Sequence, residues 1–241
     1  MLDQLRVLCF DLDDTLWDVG RVIDGADAAV EAFLQQHYPR IAERHDRSQL
    51  RAGRLALAEQ QPQLAHDLTW LRTESMRQVA VALGYPDRAG EEAFEVFIAA
   101  RNKVEFYPDV LPALEHLGQR FRLASLSNGN ADLARVGIDQ HFAVSFSARQ
   151  LGVAKPDPRS FGAVVTALGV SPSQVAYVGD DPDIDVVGAR AAGLRTVWIH
   201  RGRRDWPAAL AAPDLAVADL AALTEWASAV SPGTVGRSPR E

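Results

Sequence analysis

The spacing of apolar residues divides the chain into two kinds of pattern. Residues 5–10 form a short apolar run that ends in acidic residues, which predicts a buried strand. From residue 20 to about residue 106, apolar residues recur at spacings of three and four, which predicts helices and no strand. The polar residues that fit the starts of these helices are Asp24, Ser48 and Asp67.

From residue 107 onwards, predicted strands and helices alternate. The apolar runs that predict strands lie within residues 121–127, 143–148, 174–180, 195–200 and 214–218. Helical patterns lie between most of these runs, and one of them covers residues 183–193 with Asp183 near its start. Strands that alternate with helices imply a parallel sheet that helices cover on both faces.

We therefore expect an α/β core domain built from residues 1–19 and 107–230. A helical cap domain, residues 20–106, interrupts it, and an insertion of this length directly after the first strand suits a lid. The tail, residues 231–241, is rich in Pro, Gly, Ser and Arg and is expected to be disordered.

The composition narrows the class of protein. Apolar residues make up 47% of the 241 residues and charged residues 24%, which is typical of a soluble globular protein. The formal net charge is -7 without a basic stripe, which argues against a nucleic-acid partner. The chain shows neither a signal peptide nor an apolar run long enough for a membrane, so we expect a cytoplasmic protein without a membrane partner. The single cysteine, Cys9, excludes an internal disulfide and is expected to be buried and inert.

Polar side chains follow the predicted strands at the edge where open parallel sheets bind their ligands. Four strands contribute to this edge. The residues are Asp11, Asp13, Asp14 and Thr15 after the first strand, Ser127 and Asn128 after the next, Lys155 near the third, and Asp180, Asp181, Asp183 and Asp185 after the fourth.

So many carboxylates in one cleft repel one another by about 1 to 4 kcal/mol per pair, and a divalent cation removes that cost. Mg²⁺ fits because it prefers hard oxygen ligands and keeps several waters. The expected ligands are the side chains of Asp11 and Asp180 and the backbone carbonyl of Asp13. Asp185 is expected as a direct or water-bridged ligand, and Asp181 as a residue that orients the ligands from behind.

Asp11 and Asp13 lie two residues apart, so on extended backbone their side chains point to the same side and can address one phosphorus atom. Asp11 is expected to attack and form an aspartyl-phosphate. Asp13 is expected to protonate the leaving alkoxide and then to deprotonate water. Thr15 and Ser127 offer hydroxyl donors to the phosphate, and Lys155 offers the positive charge that the composition otherwise lacks.

Two residues near this site keep two interpretations each. Asn128 either braces the loop that binds the phosphate or makes a turn with Gly129. Trp17 either shields the cleft or belongs to the core.

At these residues the sequence resembles the haloacid dehalogenase-like hydrolase superfamily. Four motifs carry the resemblance: FDLDDTLWD at 10–18, LSNGN at 126–130, the lysine of VAKPDP at 153–158, and VGDDPDIDVVGARAAG at 178–193. The resemblance implies a Rossmann-like, doubly wound core, Mg²⁺, an aspartyl-phosphate and a small α-helical cap. Dehalogenases of this superfamily lack the second aspartate of the first motif, so Asp13 indicates phosphate-ester hydrolysis.

The resemblance extends to a bacterial branch whose members dephosphorylate flavin mononucleotide and the phosphorylated ribityl-aminouracil of riboflavin biosynthesis. The late sequence VWIHRG and the HDLTW segment of the predicted cap contribute to this similarity. The partner that it implies is a small phosphorylated metabolite.

Other functions use similar residues. A phosphomutase or a nucleotidase of the same superfamily shares the motifs and stays open. An aspartate phosphoacceptor signalling module has comparable acids, a hydroxyl and a lysine, but it has about half this length and no cap. A non-catalytic phosphate-binding protein has no need of Asp13.

Overall fold

The computed structural model describes residues 4–203 and 205–229, and it is organised around a parallel sheet. In the described residues the sheet has six strands in the order β3-β2-β1-β4-β5-β6, and every neighbouring pair is parallel. The strands are β1 Val7–Phe10, β2 Arg122–Ser127, β3 Val144–Ser147, β4 Val175–Gly179, β5 Arg195–Ile199 and β6 Leu215–Val217. The predicted α/β class with a parallel sheet is confirmed.

Residues 11–109, which follow β1 and are described throughout, contain five α-helices and no strand. They are α1 Val19–His37, α2 Pro39–Arg44, α3 Arg47–Gln60, α4 Leu68–Ala82 and α5 Ala89–Arg101, with a 3₁₀ turn at Pro62–Leu64. We call these five helices the helical block. Leu34, Ile41, Met76 and Ala93 belong to an apolar cluster of the block's own. The division into a cap domain of residues 20–106 and a core stays a prediction.

The second half of the chain supplies the helices that pack on the sheet. They are α6 Val110–Gly118, α7 Leu133–Val136, α8 Ala148–Leu151, α9 Pro158–Leu168, α10 Gly188–Ala191 and α11 Leu220–Ala229, with 3₁₀ turns at Asp139–His141 and Pro172–Gln174. The predicted disorder of the tail concerns residues outside those that the structure describes. In the described residues, no helix combines the length and the apolar character that a membrane crossing needs.

Strand β1 is enclosed on every side, because it pairs with β2 and β4 and both of its faces are covered. Leu8 and Phe10 belong to the apolar cluster that contains the buried residues of α6 and α11. Val7 and Cys9 belong to the cluster on the other face, which contains those of α9. The buried, free Cys9 agrees with its prediction. Burial on both faces explains why residues 5–10 form a continuous apolar run rather than an alternating one.

Of the three predicted helix starts, one is confirmed and two are wrong. Asp67 caps α4 by accepting a hydrogen bond from the backbone of Trp70 at 2.9 Å. Asp24 lies inside α1, whose cap is Asp18, and Ser48 lies inside α3, whose cap is Asp46. Asp46 is the cap of α3 because Gln49, three residues later, completes a capping box with it. The side chain of each residue bonds the backbone N–H of the other.

The helix predicted over residues 183–193 is divided. A π-helical turn, Pro182–Val187, precedes α10. Asp181, not Asp183, begins it, because the Asp181 side chain accepts bonds from the backbone of Asp183 and Ile184. The backbone N–H of Val186 also bonds the carbonyl of Asp181 at 3.2 Å, which is the wider spacing of a π-helix.

Candidate active site

The carboxyl end of the sheet brings the predicted site residues together. Asp11 follows β1 directly, Ser127 ends β2, and Asp180 follows β4. Lys155 comes from the loop between α8 and α9. Lys155 contacts Asp11, which lies 144 residues before it in the sequence, so distant parts of the chain meet at this site.

Lys155 is the centre of this arrangement. Its Nζ donates hydrogen bonds to Asp11 Oδ1, Asp185 Oδ1 and the Tyr177 hydroxyl, each at 2.7 Å. The lysine is only 5% exposed. Tyr177 donates in turn to the backbone carbonyl of Leu126 at 2.6 Å. All three donors of the ammonium are therefore used, and the group is held in one place.

Burial and charge act together on the acidity of these groups. Burial raises the pKa of Asp11 well above its usual range; the ammonium of Lys155 opposes this and the carboxylate of Asp185 adds to it. Burial lowers the pKa of Lys155, but the negative charges of Asp11 and Asp185 outweigh it, so this pKa lies above its ordinary value. Lys155 therefore keeps its positive charge beside Asp11.

Three carboxylates could hold a metal ion here. Asp11, Asp180 and Asp185 each place one oxygen such that the three atoms lie within 4.8 Å of one another. A donor set of hard carboxylate oxygens fits Mg²⁺, and the single ammonium of Lys155 does not balance three acids. A Cβ on Gly179 would lie 2.3 Å from Asp185 Oδ2, so this position needs glycine for Asp185 to reach the cluster.

Asp181 was expected behind the metal ligands. Its side chain accepts the two backbone bonds that begin the π-helical turn. The backbone of Asp181 donates to Asp185 Oδ2 at 3.0 Å, so this residue also contacts the acidic cluster through its main chain.

Asp13 has two partners that hold its carboxylate. Trp17 Nε1 donates to Asp13 Oδ1 at 2.8 Å. Nη2 of Arg101 lies 2.6 Å from Oδ1 and 2.8 Å from Oδ2. Trp17 is fully buried and packs edge-on against Phe106, so it belongs to the core and also contacts this acid.

The predicted phosphate-binding residues differ in their surroundings. Thr15 is fully buried, and its hydroxyl has no hydrogen-bond partner among the described residues. Ser127 Oγ accepts a bond from the backbone of Gly129 at 2.9 Å. Asn128 uses both ends of its amide on the backbone of Lys155, at 2.8 Å and 2.9 Å. Asn128 thus braces the lysine loop, and its side chain makes no turn with Gly129.

Sequence reasoning missed Arg101 and Tyr177. Arg101 ends α5, and its pattern of neighbours predicted only a helix. Tyr177 lies in the apolar run of β4, which predicted only a strand. A tyrosine in an otherwise apolar buried strand was a usable signal, because its hydroxyl needs a partner when buried.

This fold and this set of strand-end residues define a class. The model of haloacid dehalogenase-like hydrolases matches residues 5–193. The chain belongs to the haloacid dehalogenase-like hydrolase family, as the four motifs indicated.

The proteins similar to this chain include some named phosphatases and some named dehalogenases. The chain is 34% identical to the phosphoserine phosphatase of Thermus thermophilus, over 90% of this chain and 96% of that protein. It is 29% identical to the 5-amino-6-(5-phospho-D-ribitylamino)uracil phosphatase YigB of Escherichia coli, over 92% and 96%. Among solved structures, a 2-haloacid dehalogenase from Pseudomonas syringae matches with a TM-score of 0.88 and 34% identity, over 93% and 98%. Phosphatases and dehalogenases thus share this fold.

Proposed function

We propose that this hydrolase is a Mg²⁺-dependent phosphatase that cleaves phosphomonoesters through an aspartyl-phosphate on Asp11. The observation that carries the proposal is the second acid of the first motif, Asp13, beside an Asp11 that contacts Lys155 at 2.7 Å. The resemblance implies that dehalogenases lack this second acid. A phosphate ester needs it, because its alkoxide leaves only slowly without a proton.

The proposed reaction has two steps. In the first, an Asp11 oxygen attacks phosphorus, the bond to the ester oxygen breaks, and Asp13 gives its proton to the leaving alkoxide. In the second, Asp13 takes a proton from water, the water oxygen attacks phosphorus, and the bond to Asp11 breaks. Inorganic phosphate leaves and both aspartates regain their starting states. We assign to Lys155 the role of a fixed positive charge beside Asp11, whose Oδ1 accepts a hydrogen bond from the ammonium at 2.7 Å.

The chain's own donors orient the phosphoryl group. We assign this role to the hydroxyls of Thr15 and Ser127, and the buried Thr15 hydroxyl has no other partner among the described residues. Asp11, Asp180 and Asp185, with the backbone carbonyl of Asp13, would hold Mg²⁺. When bound, the ion neutralises charge on the phosphoryl oxygens. Asn128 acts indirectly by fixing the Lys155 loop.

The proposed substrate is a small phosphorylated metabolite. The names of two relatives give phosphoserine and the phosphorylated ribityl-aminouracil as candidates. The resemblance to the riboflavin branch adds flavin mononucleotide. These three differ in charge and size beyond the phosphate, so one panel separates them.

The test is phosphate release by the purified chain with Mg²⁺, from p-nitrophenyl phosphate and a panel that includes the three candidates, sugar phosphates and nucleotides. We expect release that EDTA abolishes, and a preference for flavin mononucleotide or the ribityl-aminouracil ester over the aryl phosphate. Asp11→Asn should lower turnover by at least about 10⁴-fold, because an amide is a poor nucleophile.

Asp14→Asn is the matched control, since the Asp14 side chain pairs with Arg203 and is not one of the three carboxylates of the acidic cluster. No phosphate release across the panel would contradict the proposal. Halide release from 2-chloropropionate without phosphate release would replace it by dehalogenation, the reaction named for the Pseudomonas syringae structure.

A further inference from the structure

Arg101 reaches the candidate active site from outside the sheet. It is the last residue of α5 in the helical block, whereas the acid that it contacts lies on the loop after β1. Its side chain is 1% exposed, and that of Asp13 is 22% exposed. This ion pair therefore joins the helical block to the site.

The guanidinium of Arg101 lies among the strand-end motifs. A Cβ on Gly129 would be 2.6 Å from Asp13 Oδ2, 3.2 Å from Ser127 Oγ and 3.3 Å from Arg101 Nη2. Only a glycine lets these three groups approach so closely. Arg101 thus stands beside the proposed acid and one of the proposed phosphate donors.

One end of this guanidinium is left without a partner. Nη1 is buried and makes no hydrogen bond within the described residues. A buried guanidinium donor without an acceptor is unfavourable, so such donors normally have a partner in the working state. An anionic oxygen suits it, because the planar fork of arginine matches phosphate and carboxylate oxygens.

We propose that Arg101 binds substrate: Nη2 holds Asp13, and Nη1 donates to an oxygen of the phosphoryl group. This rests on the proposed phosphatase function and extends its site to a residue of the helical block. The core then supplies the nucleophile and the acid, and the block supplies a phosphate donor.

A purely structural role is the competing explanation, in which the ion pair only docks the block. Arg149 provides the matched control, because it also joins block and core, through an ion pair with Asp67 at 3.3 Å. Arg149 is 58% exposed in its side chain and makes no contact with Asp13 in the described structure.

The experiment measures steady-state kinetics on p-nitrophenyl phosphate with Mg²⁺, together with calorimetric binding of inorganic phosphate, for Arg101→Ala, Arg101→Lys and Arg149→Ala. We expect Arg101→Ala to weaken phosphate binding and raise KM by about 10- to 100-fold. Arg101→Lys should fall between wild type and alanine, and Arg149→Ala should stay within twofold. Added guanidinium ion should partly restore Arg101→Ala.

Phosphate binding and KM within twofold of wild type in Arg101→Ala would overturn the proposal. An equal loss in Arg149→Ala, with no rescue by guanidinium, would assign Arg101 to docking and overturn it as well. If Arg101→Ala does not fold, Arg101→Lys decides by the same two measurements. If the wild type releases no phosphate at all, the phosphatase proposal fails, and the calorimetric comparison of inorganic phosphate still decides the role of Arg101.

Discussion

Two buried cations flank the Asp11–Asp13 pair, and they are held in different ways. Lys155 has all three partners within the sheet and its loops, each at 2.7 Å. Arg101 comes from the helical block and bonds the carboxylate of Asp13, and its Nη1 has no partner within the part of the chain that the structure describes. The sheet alone therefore fixes the charge beside Asp11, whereas the charge beside Asp13 depends on how the block is placed.

This difference separates two parts of the site. A saturated cation such as Lys155 is preorganised and costs no rearrangement during reaction. Arg101 still has a donor group, Nη1, that can form a hydrogen bond to a ligand. Variants that remove partners from one cation but not from the other test this difference.

Asp13→Asn removes the carboxylate that Arg101 contacts among the described residues and leaves the Lys155 cluster intact. We expect turnover of phosphate esters to fall by about 10²- to 10⁴-fold, because the amide cannot act as acid or base. The affinity for Mg²⁺ should change little, since the acidic cluster of Asp11, Asp180 and Asp185 remains. Kinetics and a Mg²⁺ titration measure both quantities. An unchanged rate would remove Asp13 from its proposed role.

Lys155→Ala removes the cation that the sheet holds. We expect the barrier to rise by about 2 to 4 kcal/mol, comparable to the loss of an oxyanion donor. Without metal, the free energy of unfolding should fall by about 3 to 5 kcal/mol, because Asp11 and Asp185 stay buried without their counter-charge. Denaturation in EDTA and kinetics in Mg²⁺ measure the two effects. Lys103→Ala is the control on an exposed lysine, and an equally small effect in both variants would contradict the central role of Lys155.

Tyr177→Phe removes one partner of Lys155 and keeps both acids. The carbonyl of Leu126 also loses its donor, so the free energy of unfolding should fall by about 1 to 3 kcal/mol. Turnover should fall by less than about tenfold, since Asp11 and Asp185 still hold the ammonium. Thermal melts and kinetics check this, with Tyr85→Phe in the helical block as the control. A loss as large as that of Lys155→Ala would show that the hydroxyl does more than hold the lysine.

The sequence predicted the part of the site that a parallel sheet builds. Strand ends meet at one edge whatever surrounds them, so Asp11, Ser127 and Asp180 could be grouped from the strands alone, and Lys155 from its place near the third strand. For Asn128 the sequence left two interpretations, because an amide in a loop serves several geometries. The structure shows that both of its ends hold the backbone of Lys155.

Arg101 could not be predicted, for a physical reason. Helical periodicity shows which face of α5 is buried but not against which part of the molecule, and a charged residue on that face fits neither the apolar pattern nor a surface position. Its contact with Asp13 depends on where the helical block lies relative to the loop after β1. The start of the π-helical turn could not be predicted for a different, local reason: Asp181 and Asp183 both carry a carboxylate that can cap a turn, and the structure uses Asp181.

The chain leaves the sheet for the helical block near Trp17 and returns near Phe106, and these two segments affect how the block can move. The two crossings run side by side, since Trp17 bridges to Phe106 and the backbone of Tyr107 bonds the carbonyl of Leu16 at 3.1 Å. A rotation of the helical block about these two crossings would displace each of its points in proportion to the distance from them. Arg101 lies five residues before Phe106, whereas α2 and α3 are separated from both crossings along the chain by whole helices. Such a rotation would therefore move the far helices of the block more than the guanidinium beside Asp13.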